Sequence, residues 1–463
     1  MYKKKAHLHF IGIGGIGMSG IAQILKFQGY EISGCDTDLF QKSIRDLKAI
    51  GCKIYEGNNT KACKSKTIDI LVYSSAIKPD NPEIIAAQKR GIPTIPRALM
   101  LAELMRTKYS IAIAGSHGKT TTTSIISHIL IEAQKDPTVV IGGHLKNIST
   151  NARLGKGDFL VAEADESDRS LIHLQSTLAV ITNIDLEHLE TYCDLDDVKE
   201  TFKTFLNNLP FYGKAFFCID DPNLKSLLPM PHIKIIKYGT DSNLADFYAT
   251  DITLNPDHST FTVFHKEKKK PLGNILIHMP GKHNVLNCLA AISVSIDLGI
   301  DFVTIAKAIQ NFKGIERRFS YKGTFKGAEI FDDYGHHPKE IQNTLEIAKR
   351  KANKKLIVVF QPHRYSRTHK LWDDFIEAFI QSGIDQLVIT DIYPASEKPI
   401  PEINSKNLVS AIKKKNPSFD VTYAPYDADF LEIKKQICQN IESDDLILSL
   451  GAGKVTHLHK KLI

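Results

Sequence analysis

The stretch that most constrains this chain is Ile111-Ala-Ile-Ala-Gly115-Ser116-His117-Gly118-Lys119-Thr120-Thr121-Thr122-Thr123. An apolar run of strand type enters a glycine-framed turn, and an apolar-periodic segment, 124–130, then reads as a helix. Strand, glycine turn and helix in that order make a phosphate loop. Backbone N–H groups at the helix start suit phosphate oxygens, a Lys reaches the β/γ-phosphates, and a Thr hydroxyl suits Mg²⁺. The spacing Gly115-x-x-Gly118-Lys119-Thr120 is shorter than the usual motif, because Ile113 stands where a further Gly is expected. The bland alternative is a glycine turn with a solvated Lys. It leaves four consecutive threonines after an apolar strand unexplained.

A second phosphate-type turn opens the chain. The segment 7–13 reads as a strand, Gly12-Ile-Gly14-Gly15-Ile-Gly17 contains G-x-G-x-x-G, 18–28 reads as a helix, and 30–34 as a second strand ending at Cys35-Asp36. An acid about 20 residues after the glycines, in a βαβ context, points to a nucleotide at that helix start, not to a particular reaction. Another strand, 68–73, ends in Ser74-Ser75, small polar groups where doubly wound sheets bind ligands.

Polar clusters recur at strand ends. Phe159-Leu-Val-Ala-Glu163-Ala-Asp165-Glu166-Ser-Asp168 has the form of a strand bringing an acid to a metal beside a phosphate loop. The strand 177–182 leads to Asn183-Ile-Asp185-Leu-Glu187-His188-Leu-Glu190. Residues 245–277 read as β-rich. Asn284 and Asn287 open a helix three residues apart, so their amides share a face and could read a base edge. Beyond 314, strands end in Asp332-Asp333-Tyr334-Gly335-His336-His337, Gln361-Pro-His363-Arg364, Asp391 and Gly451-Ala-Gly453, each strand having a helix-like neighbour. These alternations predict an α/β protein of three domains: a Rossmann-like N-terminal domain (1–107), a central P-loop ATPase domain with a mostly parallel sheet (108–314), and a Rossmann-like C-terminal domain (315–463).

The net charge of +7 over 463 residues is no nucleic-acid signature, and the lysine runs lack interleaved aromatics. Seven cysteines, odd in number and without a CxxC, indicate a reduced compartment and no zinc site. The basic N-terminus superficially resembles a signal peptide, but Gly12, Gly14, Gly15, Gly17 and Gly20 break its apolar run. No run approaches the ~18 apolar residues of a membrane span. A cytoplasmic protein with no membrane or nucleic-acid partner is expected.

Taken together, Gly12-Ile-Gly-Gly-Ile-Gly-Met18-Ser-Gly20, the phosphate loop, Glu163-Ala-Asp-Glu-Ser-Asp168, Thr182-Asn with His188, Gly281-Lys-His-Asn-Val-Leu-Asn287, Arg317-Arg318-Phe319, Asp332-Asp-Tyr-Gly-His-His-Pro338 and Gln361-Pro-His-Arg-Tyr-Ser-Arg-Thr368 resemble the Mur ligase family. The last two runs point to its alanine-adding members. The resemblance implies a UDP-sugar-binding domain, an ATPase domain and a mobile C-terminal domain. It implies UDP-N-acetylmuramate and L-alanine as substrates, with ATP and Mg²⁺ (Mn²⁺ tolerated) as cofactors, in a monomer or homodimer.

By matched position, Lys119, His188, Arg318 and His337 would be catalytic. Gly115, Ser116, His117, Gly118, Lys119, Thr120, Thr121, His283, Asn287, Arg318 and Asp333 would hold ATP. Gly12, Gly14, Gly15, Gly17, Met18, Asp36, Ser74, Ser75, His336 and Arg364 would hold the other substrates, and Thr120, Glu163 and His188 the metal. Asp185, Glu187 and Glu190 depart from the family's usual acid lengths around His188. Competing readings are a nicotinamide oxidoreductase, which leaves Lys119 and Glu163 unexplained, a sensor ATPase without amide product, and a recycling ligase that adds a preformed peptide.

Overall fold

The computed structural model describes residues 6–57, 67–74, 76–141, 152–188, 191–395 and 397–463. Ser75, Glu190 and the turn at Gly142-Gly143-His144 lie outside the described residues. The described residues form three sheets, and the chain divides into two compact units, with the last major boundary at Lys313/Gly314. The first unit holds residues 1–252, 260–277 and 283–313, and the second holds 253–259, 278–282 and 314–463.

The first sheet contains β1 (His7–Ile11), β2 (Glu31–Asp36), β3 (Lys53–Glu56), β4 (Ile70–Tyr73) and β5 (Thr94–Pro96), in the order β3-β2-β1-β4-β5, all parallel. The direction of winding reverses between β1 and β4. A crevice therefore opens at their C-terminal ends, where ligands of such sheets bind. Strand β1 is buried throughout, yet it carries two histidines. Both find partners: the Ser33 hydroxyl lies 2.8 Å from a ring nitrogen of each, and His9 Nε2 is 2.9 Å from Glu83 on helix Pro82–Lys89. Buried polar groups of this kind persist only when satisfied.

The second sheet has ten strands: β6 (Tyr109–Ala114), β7 (Thr138–Val140), β8 (Ala152–Arg153), β9 (Phe159–Glu163), β10 (Leu178–Ile181), β11 (Lys214–Cys218), β12 (Lys234–Gly239), β13 (Phe247–Leu254), β14 (Ser259–His265) and β15 (Gly273–Ile277). Their order is β15-β14-β13-β12-β11-β10-β6-β9-β7-β8. Strand β6 lies parallel between β10 and β9 and is buried beyond its first residue, which explains its continuous apolar run. The register sets Ile113 opposite Glu163 and Ala114 opposite Ile181, so the phosphate loop, Glu163 and Thr182-Asn183 emerge at one edge. In helix Lys119–Glu132 the first residue is followed by four β-branched threonines that disfavour helix, but Thr121 to Leu130 are all buried. Tertiary packing decides the conformation here.

The third sheet belongs to the second unit. It comprises β16 (Ser320–Phe325), β17 (Ala328–Asp333), β18 (Leu356–Phe360), β19 (Gln386–Ile389), β20 (Val421–Tyr423) and β21 (Leu446–Leu450), ordered β16-β17-β21-β18-β19-β20. Only the edge pair β16–β17 is antiparallel. Asp333 and Phe360 both pair with Leu450, so the polar runs that follow β17, β18 and β21 start at the same level.

Candidate functional site

The glycine turn after β1 is shaped from within. Gly12 adopts φ +74°, its N–H and that of Ile13 bond the Cys35 carbonyl, and Ser74 lies alongside, at van der Waals distance from where a Cβ on Gly12 would stand. Gly15 caps helix Ile16–Phe27, whose first turn contains no acid; Met18 is buried beneath it. Asp36, expected to face a ligand, accepts the Gly14 N–H at 2.8 Å and the Asp38 N–H at 3.0 Å. Its carboxylate thus fixes the turn.

In the phosphate loop, Gly115 (φ +127°) and Gly118 (φ +82°) sit in the left-handed region. Asn183 clamps the loop: its carbonyl accepts from Ser116 N, its Oδ1 accepts from His117 N at 2.9 Å, and its Nδ2 donates to the His117 carbonyl at 3.1 Å. The Thr182 hydroxyl donates to the same carbonyl. Lys119 is 17% exposed. Its Nζ donates to the Gly115 carbonyl at 2.6 Å and the Ser116 carbonyl at 3.1 Å, and lies 2.8 Å from Glu166, a side chain 2% exposed. Burial alone would lower the Lys119 pKa, but Glu166 and Asp165 hold it well above the ordinary value. The ammonium is fully charged and aimed back over the loop.

Around it stand further acids. His188, held at φ +54°, has Nε2 3.6 Å from Glu166 Oε1 and 3.8 Å from Glu187 Oε2. His117 Nε2 is 3.5 Å from both Asp185 and Glu187. The ligating atoms of Glu166, Glu187 and His188 fall within 4.8 Å of one another. Two carboxylates and an imidazole suit a divalent ion of the Mg²⁺/Mn²⁺ class, with the nitrogen favouring Mn²⁺. Glu163 ends β9 opposite Ile113, on the loop's side.

Asn287, expected to read a base with Asn284, is 6% exposed and turned elsewhere. Its Oδ1 accepts from Thr122 at 3.2 Å, its Nδ2 donates to Asn284 at 3.4 Å, and a Cβ on Gly118 would meet it at 2.6 Å. The amide seats the loop from below. His283 is exposed at the start of helix Lys282–Asp297.

The second unit gathers its own cluster. Asp333 is buried. Its carboxylate accepts the Phe319 and Gly335 N–H groups at 2.7 Å each and the Thr344 hydroxyl at 3.1 Å, and burial raises its pKa against the Arg318 charge and these donors. Glu340 lies 3.7 Å from Arg318 and 3.4 Å from His336, and accepts the His336 and His337 N–H groups. Burial, helped by nearby Arg367 and His363, pushes His336 down to about 3 against the pull of Glu340. His363 is pushed down to about 4 by burial and by Arg367 and Arg364. Both rings are therefore neutral at neutral pH, and the positive charge here comes from arginines. Arg364 begins helix Tyr365–Lys370 at φ +72°, with its N–H bonded to the Tyr393 carbonyl.

With this geometry in view, three family profiles match the chain in order. "Mur ligase family, catalytic domain" covers residues 7–109, "Mur ligase middle domain" 113–295, and "Mur ligase, glutamate ligase domain" 317–453. The chain belongs to the Mur ligase family. It is 46% identical over 463 residues to a UDP-N-acetylmuramate–L-alanine ligase of Geotalea uraniireducens and 47% over 462 residues to that of Syntrophotalea carbinolica, covering 100% of this chain and 98% of each relative. Among solved structures, UDP-N-acetylmuramate-alanine ligase of Thermotoga maritima matches with a TM-score of 0.81 at 26% identity over 98% of both chains. A murein peptide ligase of Psychrobacter arcticus matches at 0.73 and 25%, over 99% of this chain and 98% of that one. In this Mur ligase, Glu166 and Glu187 join His188 without having been singled out by the motifs; the signal for Glu166 is the run of acids that follows Glu163.

Proposed function

We propose that this Mur ligase joins L-alanine to the lactyl carboxylate of UDP-N-acetylmuramate at the expense of ATP. The observation that carries the proposal is the charged Lys119 ammonium, curled over a phosphate loop and ringed by Glu166, Glu187 and His188, in a chain whose relatives at 46–47% full-length identity bear that name. A carboxylate is a poor acyl donor. Transfer of the ATP γ-phosphoryl group to one of its oxygens makes phosphate the leaving group and releases ADP. The amine of L-alanine then attacks the acyl carbon, and an amide and inorganic phosphate result.

We assign residues 1–107 to the sugar nucleotide, 108–314 to ATP and 315–463 to closure over both. The turn Gly12–Gly17, held in shape by Asp36, would cradle the uridine diphosphate with Met18, Ser74 and Ser75. Gly115 to Thr121 would wrap the ATP phosphates on the seat that Asn287 provides, Lys119 would neutralise the transferring group, and His283, Arg318 and Asp333 would complete the ATP site. His336, His337 and Arg364 would face the muramoyl and amino-acid groups. Thr120, Glu163 and His188, with Glu166 and Glu187, have the donor chemistry to hold Mg²⁺, which would supply charge neutralisation at the phosphates. The six described cysteines are all free, and ATP is plentiful in the cytoplasm, where we place the enzyme. Among the described residues no helix is long and apolar enough to cross a membrane.

The test is a substrate panel. With ATP, Mg²⁺ and UDP-N-acetylmuramate, L-alanine is expected to release phosphate and give a product heavier by one alanyl residue. The similarity to a murein peptide ligase makes a preformed peptide the informative comparison. Turnover with the peptide but not with L-alanine would replace this reading with the recycling one.

A further inference from the structure

Three side chains in the interior of the first sheet have no part in the roles above. The parallel pairing of β1 with β2 sets His9 opposite Ser33 and Ile11 opposite Cys35. Residues two apart on a strand share a face, so His9 and Cys35 point to the same side. Glu83 meets them there from helix Pro82–Lys89, its N–H bonded to the Asn81 side chain at 2.8 Å. A ring nitrogen of His9, the Cys35 sulfur and a Glu83 carboxylate oxygen all lie within 4.8 Å of one another. Burial is complete: the His9 and Glu83 side chains are 0% exposed and Cys35 is 1% exposed.

The far side of the His9 ring is supported as a metal-binding imidazole requires. His9 Nδ1 is 2.8 Å from the Ser33 hydroxyl, that hydroxyl is 2.8 Å from His7 Nε2, and His7 Nδ1 is 3.1 Å from the Thr67 hydroxyl. With Nδ1–H donating to Ser33 and the Ser33 hydroxyl donating to His7, His9 Nε2 presents its lone pair. It then faces Glu83 Oε2 at 2.9 Å, acceptor against acceptor, and a proton or a cation must stand between them. Ligating histidines use their second ring nitrogen in this way. Imidazole, thiolate and carboxylate are the donor set of Zn²⁺, whereas Mg²⁺ prefers oxygen alone. One thiolate, one carboxylate and a divalent cation sum to no net charge. That suits the apolar surroundings of Ile11, Leu71, Ile84 and Ala87, where an uncompensated charge would be costly.

We propose that His9, Cys35 and Glu83 form a binding site for one thiophilic divalent cation of the Zn²⁺ class, which fastens helix Pro82–Lys89 to β1 and β2. Binding releases the thiol proton, and the proton between His9 and Glu83, to solvent. The site adjoins the glycine turn, because the Cys35 carbonyl accepts the Gly12 and Ile13 N–H groups. Cysteine spacing along the chain signals no zinc site, since the three donors come from three separate elements and 74 residues separate His9 from Glu83. The inference is independent of the ligase reading.

Cobalt substitution of the full chain tests it. Protein produced in medium supplied with Co²⁺ and dialysed against excess Mg²⁺ is expected to keep one Co²⁺ per chain and to show thiolate-to-cobalt charge-transfer absorption. Cys35→Ser and Cys35→Ala lose that absorption, and Glu83→Gln lowers the metal affinity by about tenfold or more. Cys193→Ser, at an exposed cysteine, leaves the absorption unchanged. Zn²⁺ titrated into the wild type with Mg²⁺ present raises the melting temperature by about 3 °C or more and does not raise that of either Cys35 variant. A wild type without the thiolate band, a band that survives in the Cys35 variants, or an equal Zn²⁺ shift of melting temperature in the wild type and in those variants would overturn the proposal.

Discussion

Lys119→Ala is expected to lower turnover by about 10³-fold or more while UDP-N-acetylmuramate still binds. The ammonium is a charge placed where the transferring phosphoryl group would develop its own, and the loop carbonyls of Gly115 and Ser116 hold it there. The substitution has a second consequence. Glu166, 2% exposed, loses its cation, and an uncompensated buried carboxylate costs on the order of 3 kcal/mol. The double variant Lys119→Ala/Glu166→Gln separates the two effects, because a neutral amide removes the stranded charge. It should recover most of the melting temperature and none of the turnover, as read by thermal melts beside phosphate release. Turnover near the wild-type rate in Lys119→Ala would remove the phosphate loop from the mechanism.

Gly115→Ala should be nearly as damaging for a steric reason. The new Cβ would lie 2.1 Å from Thr182 Oγ1 and within about 3 Å of the Asn183 backbone, at φ +127°, a conformation L-residues rarely adopt. The clamp that Thr182 and Asn183 place on His117 must open. The expected outcome is at least a 100-fold loss of turnover and about 3 kcal/mol of stability, with the first sheet's ligand affinity intact. Adding Thr182→Ala removes the closest clashing atom and should restore part of the stability. A single variant as stable and active as the wild type would show that the loop does not need the geometry described.

The same loop shows what the sequence could and could not disclose. Its strand, turn and helix were legible because apolar period, glycine and β-branched threonine are local signals, and the polar strand ends after β1, β9, β10 and β17 followed from the same reading. Strands such as β3, β7 and β20 are three or four residues long, too short to leave a period. The helix starts at Lys119, earlier than the apolar pattern alone suggested, because packing overrides the low propensity of the threonines. Side-chain direction was the other loss. Asp36 and Asn287 have residue types that suit a ligand, but each is turned onto a neighbouring glycine turn by partners 22 and 165 residues away in sequence.

The central claim is that ATP activates the lactyl carboxylate as an acyl phosphate. The direct measurement uses UDP-N-acetylmuramate labelled with ¹⁸O in that carboxylate, together with ATP, Mg²⁺ and L-alanine, and determines the mass of the released inorganic phosphate. One ¹⁸O from the carboxylate is expected in each phosphate formed. Release of unlabelled phosphate alongside amide product would contradict the account.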